Sequence, residues 1–105
     1  MKHTKKKIMN SNRKGDFAEY YAVTWLWDNG YEVFQNSGCT GPIDMIAMDD
    51  KGDTILIDVK TVHIGPNEKH HRGCKKTRTK LQEKLGVKLL GFHPETRELK
   101  FIEHK

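Results

Sequence analysis

The segment from Gly41 to Lys60 constrains this chain more than any other. It contains Gly41-Pro42-Ile43-Asp44, a turn over Asp49-Asp50-Lys51-Gly52-Asp53, and then Ile55-Leu56-Ile57-Asp58-Val59-Lys60. Apolar runs on either side of a glycine-containing acidic turn predict a hairpin. One strand runs roughly from Asp44 to Met48 and the other from Thr54 to Thr61. With the turn centred near Lys51 and Gly52, Asp44 is expected beside Val59 or a near neighbour. Side chains alternate along a strand, so Ile55, Ile57 and Val59 share one face and Leu56, Asp58 and Lys60 share the other. Asp58 and Lys60 are therefore expected to point the same way, towards Asp44.

Two clustered carboxylates repel each other unless a cation lies between them. Oxygen donors of this kind suit Mg²⁺, with Mn²⁺ as a substitute. A nearby lysine can position a water or offset charge on a phosphate. The same residues also suit a polar hairpin end with solvated charges and a salt bridge, and the D-x-K spacing alone does not choose between the two.

At 105 residues the chain is one small domain with one modest core, which an oligomer would help to complete. Its formal charge of +5 favours an anionic partner, with nucleic acid first in line. Cys39 and Cys74 are far apart and form no C-x-x-C pair, which fits a reducing, cytoplasmic setting better than a disulfide scaffold. No apolar run approaches the ~18 residues that span a bilayer. Residues 1–12, with Lys2, Lys5, Lys6 and Lys7, read as a basic arm able to lie along phosphates, or as a plain disordered terminus. Residues 13–105 form the single domain.

Asp16 to Asn29 reads as a helix stopped by Gly30. Ala18, Ala22 and Leu26 form one apolar row, and Phe17, Tyr20, Tyr21, Thr24 and Trp25 another. Glu19 borders the core-facing stripe, where a carboxylate is paired, bound to metal or able to reach water. Tyr31 to Gln35 reads as a strand, and Asn36 to Pro42 as a loop carrying Ser37. Residues 64–76 read as a polar loop rich in His, Lys and Arg. Thr77 to Leu85 reads as a short helix capped by Thr77, with Leu81 and Leu85 facing inward. Val87 to Phe92 and Glu98 to Glu103 complete the strands. The order is αβββαββ, an α/β fold with a mixed central sheet flanked by helices.

This order, together with Arg13-Lys14-Gly15, Glu19, Gly30-Tyr31-Glu32-Val33, Ser37-Gly38, Asp44-Met45-Ile46-Ala47, Asp58-Val59-Lys60 and Lys100-Phe101-Ile102-Glu103, resembles the PD-(D/E)XK nuclease superfamily. Within it the chain looks most like the archaeal-type Holliday junction resolvases. The resemblance implies a restriction-endonuclease-like core and metal-dependent hydrolysis of DNA. It implies metal ligation by Glu19, Asp44, Asp58 and the Val59 carbonyl, a catalytic Lys60, and a Ser37 that helps with the scissile phosphate. The chain departs from the family pattern in three places. The Pro-Asp pair is spread over Pro42-Ile43-Asp44, the acid before the lysine is Asp rather than the resolvases' Glu, and the loop 64–76 has a composition of its own.

Arg13, Lys14, Arg72, Lys75, Lys76, Arg78 and Lys80 are the candidate phosphate contacts, and Gln82 either faces the site or is an exposed helical glutamine. His63, His70, His71 and Cys74 also suggest a Zn²⁺ site, although their spacing fits no standard finger. A solvated basic loop suits them better. Trp25, Trp27, Phe34 and Phe92 read as core or subunit-interface residues. Three functions remain open. The first is a structure-selective endonuclease acting on branched DNA as a homodimer. The second is a sequence-specific homing or restriction-like enzyme, or a small VRR-type nuclease. The third is a DNA-binding module that has lost catalysis.

Overall fold

The computed structural model describes residues 11–38, 40–62 and 78–103. The order is α1 (Ser11–Asp28), β1 (Glu32–Gln35), β2 (Met45–Met48), β3 (Thr54–Thr61), α2 (Lys80–Leu85), β4 (Lys88–Phe92) and β5 (Leu99–Phe101). This is the αβββαββ order expected from the sequence. The strands form one five-stranded sheet in the order β1-β2-β3-β4-β5. All neighbours are antiparallel except β3 and β4, which run parallel across the connection that contains α2.

Helix α1 begins at Ser11, so positions 11 and 12 belong to it and not to the arm that the sequence pattern suggests. It ends where Gly30, at φ 88°, lets the chain turn back. The Tyr31 amide then bonds the Leu26 carbonyl, and the Gly30 amide bonds that of Trp27. Ala18, Ala22, Val23 and Leu26 project from α1 onto the sheet and are buried. Ala22, Val23 and Leu26 pack with Met45, Ala47, Ile57 and Leu90, one residue or two from each central strand. Ile55 and Val59 pack against this cluster beside Ile57, as strand alternation requires. Phe92 closes one end of the core against Phe17 and Tyr21.

The β2–β3 turn is held by Asp49, whose side chain accepts from the amides of Lys51 and Asp53. Gly52 takes φ 91° there, which an L side chain rarely adopts. The register pairs Met45 with Ile57 and Met48 with Thr54. The end of β3 therefore extends past the start of β2, and that overhang carries Asp58, Val59 and Lys60. Among the described residues no helix is long and apolar enough to cross a membrane.

Helix α2 differs from the sequence expectation in two ways. It is capped by Thr79, not Thr77. Its leucines also face outward: Leu81 is 51% exposed and Leu85 44%, while Gln82 is buried at 6%. The reason is Gln82. The Thr79 hydroxyl accepts from the Gln82 amide, and the Gln82 side-chain carbonyl accepts from the Thr79 amide, a capping box that starts the six-residue helix. The Gln82 side-chain amide then donates to Asp58 and to the Pro42 carbonyl, and these bonds hold that face of the helix inward. Of the four aromatics read as core or interface, Phe92 is buried and Trp25 packs edge-on against Phe101. Trp27 and Phe34 are exposed.

Candidate active site

Asp44 sits where β2 begins, and its backbone hydrogen bonds aim it. Its amide donates to the Ile57 carbonyl at 2.8 Å, although Ile57 already pairs with Met45. The Asp44 amide thus reaches Ile57 just beyond the point where the β2–β3 pairing ends. The Asp44 carbonyl meanwhile accepts from the Asn36 amide. The Asn36 side chain donates to the carbonyls of Thr40 and Ile43, which ties the loop before β2 to the end of β1. Held in this way, the Asp44 carboxylate reaches across to β3 and accepts from the Val59 amide at 2.7 Å. This is the neighbour the hairpin pattern predicts. Amide and carbonyl of one strand residue leave on the same side, so the Val59 carbonyl lies along the edge that Asp44 occupies.

Asp58 projects from the opposite face to Ile57 and is 8% exposed. Its Oδ2 accepts from Gln82 Nε2 at 3.0 Å and lies 3.2 Å from Lys60 Nζ. Gln82 Nε2 also donates to the Pro42 carbonyl at 2.9 Å. One amide therefore joins α2, the loop before β2 and the acid on β3. The sequence alone leaves Gln82 open between the site and solvent and groups it with the DNA contacts. The structure seats it inside as the residue that positions Asp58. The signal that finds it is Thr79-Lys80-Leu81-Gln82, a T-x-x-Q capping box.

The two aspartates interact directly. Burial and a side-chain hydrogen bond with Asp58 push the Asp44 carboxyl up to about 7, against the Val59 amide, which lowers it. The charges of Asp58 and Glu19 raise it further. Glu19, half-buried on α1, is itself raised by burial first and then by the charges of Asp16 and Asp58. It thus acts on the aspartates through its field. Among the described residues no three His, Cys, Asp or Glu side chains form a ready-made metal cluster.

A divalent cation nevertheless fits the donors at the β2–β3 end. They are all oxygen, which suits Mg²⁺ or Mn²⁺. Two adjacent carboxylates, one of them driven to hold its proton near neutral pH, are relieved by a positive charge between them.

Of the other predicted site residues, Ser37 is exposed in the turn after β1, within the loop that Asn36 braces. Arg13 and Lys14 are exposed on the first turns of α1, and Lys80 is exposed at the start of α2. Arg78 is half-buried and donates to the Val87 carbonyl at 3.2 Å, so part of its guanidinium braces the chain itself. Arg72, Lys75 and Lys76, and the proposed zinc residues His63, His70, His71 and Cys74, lie outside the described residues.

The chain shares its fold with a bacterial homing endonuclease. The superposition has a TM-score of 0.68 at 16% sequence identity and covers 89% of this chain and 68% of the other. No protein-family profile matches the sequence, and no curated protein matches it.

The Gln82 bridge carries its own expectation. Gln82→Ala removes the donor to Asp58 and Pro42 and half of the capping box. It should cost about 1–3 kcal/mol in urea denaturation. A loss below about 0.5 kcal/mol would show that α2 is held to the sheet by other contacts.

Proposed function

We propose that this protein is a metal-dependent DNA endonuclease that hydrolyses phosphodiester bonds. The observation that carries the reading is the meeting of Asp44, Asp58 and Lys60 at one end of β2 and β3, with the Val59 carbonyl on the same edge. Asp44, Asp58 and that carbonyl are the groups to hold a divalent cation, with Glu19 as the third carboxylate. A cation bound there supplies Lewis-acid polarisation of the phosphate and acidifies a water. Lys60, half-exposed beside Asp58, faces the open side, where it offsets the growing negative charge or orients the water. Gln82 fixes the rotamer of Asp58. Arg13, Lys14 and Lys80 supply phosphate contacts around the site. Each true contact should contribute about 0.9 to the log–log salt slope of binding, so Lys80→Ala should flatten that slope by nearly one.

Two substrate classes fit this chemistry. The sequence resemblance supports branched DNA, cut by a symmetric homodimer that would place two such sites on one junction. The fold shared with a homing endonuclease supports a specific duplex sequence instead. The deciding experiment uses a four-way junction, a linear duplex and a single strand of shared sequence, with Mg²⁺ or Mn²⁺ and Asp58→Ala as control. Paired symmetric nicks in the junction alone, lost in the variant, establish junction resolution. Cleavage of the duplex at a defined sequence moves the substrate to the second class. Tight binding without any metal-dependent cleavage, on a library of random duplexes as well, overturns the nuclease reading and leaves a DNA-binding module.

A further inference from the structure

The groove beside the acids contains an apolar residue that phosphate chemistry does not require. This groove, of about 430 Å³, is lined by Asp58 and Lys60 on one side and by Gly41 and Pro42 on another, with Leu81 of α2 at its edge. That volume falls within the range of clefts that hold small molecules, about 300–1,000 Å³. Leu81 is 51% exposed, and Leu85, one turn further along α2, continues the same face. The exposure is built in. The bonds from Gln82 to Asp58 and Pro42 fix the rotation of α2, so Leu81 cannot turn inward without breaking them.

A leucine held at the rim of a groove that also presents Lys60 matches a nucleotide, which offers an anionic phosphate and an apolar base face a few ångströms apart. We infer that Leu81 packs against the base next to the scissile phosphate after that base has left the helical stack. It thereby makes the enzyme select DNA that is locally unstacked. This inference rests on the nuclease reading above and deepens it. In continuous duplex the base faces are covered by their neighbours, and a side chain reaches one only at the cost of unstacking. At a branch, flap or mismatch that cost is already met. Leu81 therefore favours interrupted DNA over continuous duplex, while Asp44, Asp58 and Lys60 serve both alike.

The test compares wild type, Leu81→Ala and Leu81→Met on two DNAs of one sequence, a continuous duplex and the same duplex with a single mismatch. The base flanking the cut is replaced by 2-aminopurine. Leu81→Ala should lower kcat/KM on the mismatched DNA about tenfold and change the duplex value little, with Leu81→Met close to wild type. In EDTA, wild-type binding should raise the 2-aminopurine fluorescence of the mismatched DNA, and Leu81→Ala should abolish that rise. An equal change on both DNAs, or an unchanged fluorescence response in Leu81→Ala, overturns the inference. If wild type binds but cuts neither DNA, the nuclease reading is decided by the junction and random-duplex assay above. The fluorescence arm then still decides whether Leu81 meets the base.

Discussion

Lys60→Ala and Asp58→Asn should each lower DNA cleavage by about 10²–10³ or more, while changing DNA affinity by less than about threefold. Affinity for DNA rests on many Lys and Arg contacts to phosphates, and one lysine among the 19 basic residues of this chain carries a small share of it. Rate depends on charges placed where the transition state develops its own. Lys60 Nζ, 3.2 Å from Asp58 Oδ2, is the cation nearest the paired acids among the described residues, and no neighbour on β3 can replace it. Asp58→Asn keeps the shape and the contact with Gln82, since the Gln82 amide can donate to the Asn oxygen, but it removes the charge proposed to hold a cation. The two variants are separated by titrating Mn²⁺. Lys60→Ala should retain wild-type cation affinity, whereas Asp58→Asn should lose it. Fluorescence anisotropy for binding and a gel assay for cleavage suffice. A parallel fall in binding and cleavage would place these residues in DNA affinity and remove them from the chemistry.

Much of this site is legible in the sequence because the hairpin obeys simple rules. A strand alternates, a turn at Lys51-Gly52 fixes the register, and together they carry Asp44 to Val59 and put Asp58 with Lys60. What the pattern does not show is the bond from the Asp44 amide to the Ile57 carbonyl, because a bond beyond the end of the pairing leaves no trace in apolar periodicity. With that bond in place, the Asp44 carboxyl reaches the Val59 amide and meets Asp58. Helix α2 misleads for a different reason. Leu81 and Leu85 are four residues apart, which usually marks a core-facing row. In a six-residue helix two leucines provide little burial to set against the two bonds that the Gln82 side chain makes to Asp58 on β3 and to the Pro42 carbonyl in the loop before β2. Local hydrogen bonding therefore decides the rotation, and the helix presents its leucines to the groove. A cap placed at Thr77 hides the box that begins at Thr79. Trp27 and Phe34 stand exposed, so of the two places read for them, core or subunit interface, only the core is excluded.

Without divalent cation the protein should lose stability as pH rises from about 4 to about 7, and Asp44→Asn should remove most of that loss. In the unfolded chain Asp44 titrates at the ordinary Asp value of about 3.9. In the fold its carboxyl is pushed up to about 7 by burial and by Asp58. Between those values the folded state holds a proton that the unfolded state has released. The contribution of Asp44 is therefore fully present below about pH 4, falls through the window, and is gone above about pH 7. Full expression of that difference in proton affinity would be worth about 4 kcal/mol, and the open groove reduces it to about 1–2 kcal/mol. Glu19, also raised, adds in the same direction. A cation reverses the trend, because it binds the ionised Asp44 carboxylate and competes with the proton that Asp44 holds. At a hundred times its dissociation constant, Mg²⁺ should add about 2.7 kcal/mol to the wild type at about pH 8 and almost nothing to Asp44→Asn. Urea titrations at about pH 4.5, 6 and 8, each with EDTA or Mg²⁺, read both effects at once. A wild type whose EDTA stability is flat across that range, with no Mg²⁺ response at the alkaline end, would mean that burial and Asp58 do not raise the Asp44 carboxyl and that the two aspartates do not form a cation site. The hairpin end would then be the solvated salt bridge that its sequence equally permits.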